Sequence, residues 1–344
     1  MDYDLKWSEL NARLRETEAG NGGLTAVLAE LESHQRETGF IKDDLSGVKR
    51  LVFRHPDEPG RFFRVQYNPK RAVRLVGAGV ATPPVGVDRV NGGCFLCRAN
   101  IRWQQQHAQV GFEIRMTGDE YHALMNPFPL MPNHVVIAAD EHVTQEWDMG
   151  GTGGVDLARL LFDLCDTAKR MPGHVGFYNG VGAGASIPGH LHFQFFRRPE
   201  EDPVFPLESR VFEAPSSDDM PAWARDYPLA VARWQGDVDE VVHRATTWLR
   251  LWIDGNRDRV DRLSSNFIAA ADGQEGEMSL YFAPRDRAKP IWDGVAELVG
   301  GLEILGELVF SSDDKRKLLE TGAVDYFFVE NALASVRPLF PITG

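Results

Sequence analysis

Along residues 5–18 and 24–35 apolar side chains return every three or four positions, the spacing of amphipathic helices, and Gly20-Asn21-Gly22-Gly23 breaks the run between them. From Val48 the pattern turns to β: Arg50-Leu51-Val52-Phe53-Arg54, then Arg61-Phe62-Phe63-Arg64-Val65-Gln66-Tyr67. Pro127, Pro129 and Pro132 bar a helix and demand an irregular crossing, after which Val135-Val136-Ile137 reads as a buried strand. Beyond the breaker Gly151-Thr152-Gly153-Gly154, residues 156–169 carry Leu157, Leu160, Leu161, Leu164 and Ala168 at helical spacing, with Cys165 as a packed small hydrophobe. The second half repeats this grammar with a strand at 229–232, a helix at 238–253 and strands at 266–270, 278–282 and 302–310. An amphipathic helix at 326–336 closes the chain.

The clearest alternation is His190-Leu191-His192-Phe193-Gln194-Phe195. At period two, His190, His192 and Gln194 share one face while Leu191, Phe193 and Phe195 enter a core. The residues before it include the turn formers Gly182, Gly184, Ser186, Pro188 and Gly189, so the strand leaves a loop with free backbone N–H groups. A lone histidine there would read as a satisfied sheet residue. Two in register with a glutamine, behind such a loop, suit a phosphate-bearing ligand. A neutral imidazole can attack phosphorus and divide one hard displacement into two easier ones. Its attacking nitrogen is oriented by what the other ring nitrogen bonds. Gln194 can donate to a phosphoryl oxygen without taking up a proton.

The chain has 344 residues, 43% hydrophobic and 25% charged, which fits an ordinary soluble protein of two domains or one large one. No run approaches the ~20 apolar residues of a membrane span. The acidic start Met1-Asp2-Tyr3-Asp4-Leu5-Lys6 lacks a signal-peptide core, so a cytoplasmic protein is expected. A net charge of −13 argues against nucleic-acid binding, so a nucleotide would need a locally positive pocket. Three cysteines make no secreted disulfide framework. Cys94 and Cys97 form a CxxC on a tight loop, which is half of a zinc site, a redox pair or two unrelated thiols. After Arg198 the composition shifts to an acidic and Pro/Ser/Asp-rich stretch reaching Pro221. The expected division is a helical segment at 1–47, a catalytic module at 48–199 and a second, degenerate module at 200–344. Arg285, Arg287 and Lys289 either reach a substrate or decorate a solvated loop.

His190-Leu191-His192-Phe193-Gln194 resembles the H-x-H-x-Q form of the histidine-triad superfamily. That form belongs to its nucleotidyltransferase branch of galactose-1-phosphate uridylyltransferases, diadenosine tetraphosphate phosphorylases and GDP-hexose phosphorylases. The resemblance implies that His192 becomes nucleotidylated. Gln194 stands where the hydrolase branch has a third histidine, which implies transfer or phosphorolysis rather than hydrolysis. Residues 64–71 resemble the uridylyltransferase R-Y-N-P segment, placing Lys70 and Arg71 near substrate phosphates, the alternative being an exposed basic strand end. Cys94-Phe95-Leu96-Cys97 with Asn100 and Arg102 looks like the uridylyltransferase zinc loop, and the implied ligands are Cys94, Cys97, His142 and His190. Four protein ligands make a structural zinc. This chain departs from the pattern in a longer linker after the CxxC and one extra residue between Ser186 and His190. Residues 120–145 resemble the D-x-x-P-x-x-P-x-H pattern, with Asn126 at the ribose-holding acid. His134 stands at the start of the following strand, as a capping or core histidine or a functional one. Asn179 and Ser186 match phosphate-side positions.

The expectation is an α+β protein of two histidine-triad-like halves, with an antiparallel sheet packed by helices. The two-module layout, with the glycine-led segment 300–308, looks more like the GDP-hexose phosphorylases than the dimeric uridylyltransferases. The expected function is nucleotidyl transfer from an NDP-sugar or similar donor to a phosphate-bearing acceptor through a covalent His192 adduct. One alternative is phosphorolysis of a dinucleoside polyphosphate or GDP-hexose, and a more distant one is a non-catalytic, zinc-stabilised nucleotide-binding protein. The expected partners are nucleotides and phosphates or sugar phosphates, with neither nucleic acid nor membrane, in a monomer or homodimer.

Overall fold

The computed structural model describes residues 2–73, 82–116, 119–215, 217, 219–272, 277–292 and 297–339. Helix α1 (Tyr3–Thr17) starts at Asp2, whose carboxylate accepts the Asp4 N–H, and α2 (Gly23–Glu37) follows the glycine break. Next come β1 (Lys49–Arg54), β2 (Phe62–Tyr67), α3 (Arg98–Gln104), β3 (Phe112–Arg115), β4 (Glu120–Met125) and β5 (Val135–Ala139). Helix α4 (Leu157–Arg170) leads to β6 (His174–Asn179) and β7 (His192–Arg197). The later elements are β8 (Phe212–Glu213), β9 (Ala222–Ala224), β10 (Ala232–Gly236), α5 (Val238–Gly255), β11 (Leu263–Asp272) and β12 (Glu277–Asp286). They continue with β13 (Ile291–Trp292), β14 (Glu297–Leu298), α6 (Gly301–Ile304), β15 (Glu307–Phe310), α7 (Asp313–Glu320) and α8 (Tyr326–Ser335).

A ten-stranded sheet runs β3-β4-β5-β7-β6-β11-β12-β10-β9-β8, antiparallel throughout. Strands from before and after the Pro/Ser/Asp-rich stretch therefore share one sheet, joined where β6 pairs with β11. The α+β expectation holds. Period-two alternation sends the two faces into separate cores. Leu191, Phe193 and Phe195 go to one with Phe267, Trp248 and the apolar stripes of α1, α2, α4 and α5. Phe196, Phe177, Ile268 and Tyr281 go to the other, beneath β2, β15, α6 and α8. A small sheet of order β1-β2-β15, with β2 and β15 parallel, roofs this second face.

Three expectations in the second half are corrected. Residues 302–310 are not one strand. Gly300 accepts the Ile304 N–H at 2.9 Å and donates its own to Glu303 Oε2 at 2.9 Å, which closes a helical turn. Gly306 then reverses the chain at φ +96°, and β15 begins at Glu307. Leu302, Ile304, Leu305, Leu308 and Phe310 are all buried, so the run had no alternation to distinguish turn from strand. The strand expected at 229–232 begins only at Ala232, where pairing with β12 starts. Residues 284–286 are not loop but the end of β12, and Arg285 is fully buried.

His174 opens β6 in a buried setting, its Nε2 2.9 Å from Asn133 Oδ1, and burial pushes its pKa from 6.5 down to about 4. Between these two values the unfolded chain binds a proton there that the folded chain refuses, so acidification through this window lowers stability. In urea titrations across it, the stability of His174→Gln should fall less steeply than that of the parent, by up to about 1.4 kcal/mol per pH unit. Equal slopes would rule out His174 as a source of acid sensitivity.

Candidate active site

His192 starts β7 between β5 and β6, opposite Ala138, and Gln194 lies between Val136 and Phe177 on the same face. The His192 backbone is clamped by one side chain. Gln145 Oε1 accepts the His192 N–H at 2.7 Å, while Gln145 Nε2 donates to the carbonyls of His192 at 3.0 Å and Asn179 at 3.1 Å. Gln145 is itself fully buried, and the Tyr178 hydroxyl donates to its backbone carbonyl. The His192 ring places Nδ1 2.8 Å from the His190 carbonyl. A carbonyl only accepts, so Nδ1 carries the ring proton and Nε2 keeps its lone pair. None of the described groups bonds Nε2. Burial lowers the His192 pKa, with the His190 carbonyl bond opposing it, and the neutral ring is favoured.

Gln194 Oε1 lies 3.1 Å from His134 Nε2. Arg71, in the turn after β2, is buried, donates to the Phe128 carbonyl, and with burial helps hold His134 neutral. Its neighbour Lys70 faces elsewhere, on Asp44 at 2.9 Å and Asp43 at 3.2 Å. Asn126 Oδ1 accepts the Phe128 N–H at 2.9 Å, which stabilises the proline-rich crossing. Asn179 ends β6, and its Oδ1 accepts from Asn266 Nδ2 at 2.8 Å and the Gly301 N–H at 2.9 Å. Ser186 stands exposed in the loop ahead of His190. The structure therefore puts Gln194 and Arg71 beside the His134 ring, with His192 two residues before Gln194 on the same strand face. It ties Asn179 to the second half and Lys70 to the N-terminal segment.

Beside the row lies a potential metal centre. Cys94, Cys97, His142 and His190 bring their ligand atoms within 4.8 Å of one another. Cys94 Sγ is 3.3 Å and Cys97 Sγ 3.6 Å from His190 Nδ1, Cys97 Sγ is 3.3 Å from His142 Nδ1, and the two Nδ1 atoms are 3.3 Å apart. Metal–sulfur bonds of about 2.3 Å and metal–nitrogen bonds of about 2.0–2.1 Å at tetrahedral angles give S···N edges of about 3.6 Å and N···N edges of about 3.3 Å. The donor set fits. His190 Nε2 donates to the Ala139 carbonyl at 2.7 Å, which leaves Nδ1 as the ligand nitrogen.

Sequence reasoning missed Gln145, Asn266 and the use made of Arg285. Arg285 Nη1 donates to Asn266 Oδ1 at 2.8 Å and to the Val299 carbonyl at 2.7 Å, which braces the amide that holds Asn179. Arg287 Nη1 meets Glu146 at 2.8 Å, next to the clamp. Two glycines carry the close fit of the halves: a Cβ on Gly184, at φ +96°, would stand 2.6 Å from the Gly300 Cα, and one on Gly301 would strike the Phe177 ring at 2.4 Å. An isolated polar side chain gives no periodic signal, so nothing in the sequence marked Gln145 or Asn266.

A family model described as a domain of unknown function, DUF4922, matches residues 31–197. Protein APA1 of the yeast Saccharomyces cerevisiae is 24% identical over 155 residues, 40% of this chain and 47% of APA1, so the match spans about half of that relative's length. Among solved structures, yeast Ap4A phosphorylase Apa2 aligns with a TM-score of 0.56 at 15% identity, covering 90% of this chain and 98% of Apa2. Apa2 in complex with Ap4A aligns with a TM-score of 0.57 at 16% identity and the same coverage. The chain thus shares its fold with yeast Ap4A phosphorylase Apa2.

Gln145→Ala leaves the His192 N–H and two carbonyls without their partner, and each orphaned buried group costs about 1–3 kcal/mol. The variant should lose at least ~2 kcal/mol in urea denaturation. A loss below about 0.5 kcal/mol, within the range of surface substitutions, would show that the clamp is dispensable.

Proposed function

We propose that this chain is a nucleotidyltransferase of the phosphorylase type, working through His192. The observation that carries it is the bare Nε2 of His192, left unprotonated by the His190 carbonyl on the same sheet face as Gln194. Nε2 attacks the α-phosphorus of a nucleotide. A P–N bond forms, the P–O bond to the leaving phosphate-bearing group breaks, and that oxygen departs with the electron pair. The acceptor's phosphate oxygen then attacks the same phosphorus, the P–N bond breaks, and the imidazole is restored. Charge building on the phosphoryl oxygens calls for fixed donors, for which the Gln194 amide and Arg71 are candidates, with the loop after Asn179 and Ser186 as further ones. Asn126 and Lys70 remain candidates for the ribose and outer phosphates.

Inorganic phosphate is the favoured acceptor and a dinucleoside polyphosphate the favoured donor. Support comes from the fold shared with Apa2 over 90% of this chain, Apa2 being described as an Ap4A phosphorylase with structures holding AMP and Ap4A. NDP-sugar and sugar 1-phosphate remain the second reading, supported by the uridylyltransferase-like Cys94–Cys97 loop. Incubation with α-labelled Ap4A should leave an acid-labile, alkali-stable adduct of about one nucleotide per chain, absent in His192→Ala. Added phosphate should discharge it as a nucleoside diphosphate. A protein that forms no adduct with Ap4A, GDP-hexose or UDP-hexose, and turns over none of them, sinks the proposal.

The metal proposed for Cys94, Cys97, His142 and His190 is zinc, from the two thiolates and two imidazoles at tetrahedral spacing. Four protein donors leave no open position, so bound zinc supplies a cross-link that holds the peptide of His190. Elemental analysis should find about one zinc per chain. Cys97→Ser should lower both zinc content and melting temperature. Full stability after exhaustive chelation would remove the metal from the account.

A further inference from the structure

We infer that His134 is a positioning residue that decides which end of the Gln194 amide faces the reacting phosphoryl group. This rests on the nucleotidyl-transfer reading and adds a residue to it. An amide presents either a carbonyl oxygen or an NH₂, and only the NH₂ can stabilise charge developing on phosphoryl oxygens. Something must therefore fix the flip.

A chain of hydrogen bonds does so. Gln66 Nε2 donates to the Leu130 carbonyl at 2.9 Å, which sets the peptide at the proline-rich crossing. The Leu130 N–H then donates to His134 Nδ1 at 3.1 Å. With Nδ1 accepting, a neutral ring carries its proton on Nε2, and that proton meets Gln194 Oε1 at 3.1 Å. The Gln194 carbonyl is thereby tied to His134 and its NH₂ turned away from the ring. No described group bonds that NH₂, and Gln194 is partly exposed beside the buried His192.

The His134 ring cannot easily turn. It is 1% exposed, and its backbone carbonyl accepts the Asn126 N–H at 2.9 Å. The preceding Asn133 sits at φ +53°, held by Nδ2 bonds of 3.0 Å to the Leu28 carbonyl and 3.0 Å to Glu32 on α2. Burial and the Arg71 charge push its pKa down to about 3, with the Gln194 bond opposing them, so the single-proton ring persists through any working pH.

The test is a double-mutant cycle read on single-turnover formation of the His192 adduct, with nucleotide affinity measured alongside. His134→Leu should slow adduct formation by about two orders of magnitude, the order for loss of one transition-state donor, and change affinity less than about threefold. In a Gln194→Ala background the same substitution should cost less than about threefold, because His134 acts only through that amide. His134→Gln, which restores an N–H donor, should recover most of the rate. An equal loss with and without Gln194 would overturn the inference and leave His134 as a packing residue. Nitrogen-15 spectra read it without turnover: the Nε2–H tautomer is expected, and an Nδ1–H ring overturns the inference even in an active enzyme. A wild-type protein that shows the Nε2–H tautomer but forms no adduct fails the function and not the geometry.

Discussion

One backbone carbonyl sets what the site can do. A neutral imidazole has a single proton, and the carbonyl of His190 claims it at Nδ1 of His192, so the other nitrogen keeps its lone pair. His190 is held on both sides to make this possible. Its ring spans the potential metal centre and the Ala139 carbonyl. The next residue, Leu191, bonds Val143 at 2.7 Å and Ala139 at 3.0 Å. Gln145 then grips His192 itself, substituting a side-chain amide for the strand partner that the end of β6 does not provide. Side-chain chemistry here depends on backbone that cannot move.

The second half braces this peptide. Strand β11 pairs with β6 so that Asn266 meets Asn179, the residue that shares the Gln145 clamp with His192. Behind Asn266 lies Arg285, fully buried, its pKa pushed down to about 10 by desolvation. A buried guanidinium carries a desolvation penalty of several kcal/mol, so its place in the fold is set by the two oxygens it joins and not by burial for its own sake. Arg287 and Glu146 add a second tie from the same hairpin. The glycines at 184 and 301 let the two surfaces approach closer than any side chain would allow.

Much of the fold could be read from the chain because its signals are local. A period of two residues at 190–196 and a period near 3.6 at 156–169 follow from backbone geometry alone, and both survive in β7 and α4. The same logic fails where burial does not alternate: in 302–310 all but Glu303 and Val309 are buried, and the run conceals a helical turn, a reversal and a strand. The CxxC and the two distant histidines were tied together by resemblance and not by spacing. The fold shows their donor atoms converging.

By itself the sequence determined which residues share a face, where helices and strands alternate, and which side chains are candidates for phosphate and metal chemistry. Tertiary structure alone decided their use. Asn179 turns inward to Asn266, Lys70 turns to Asp43 and Asp44, and Gln145 reaches across to the backbone of His192. The reason is that periodicity fixes the direction of a side chain relative to its own strand. The partner it meets, and the ring nitrogen or amide end it then presents, depend on chain segments tens to hundreds of residues away.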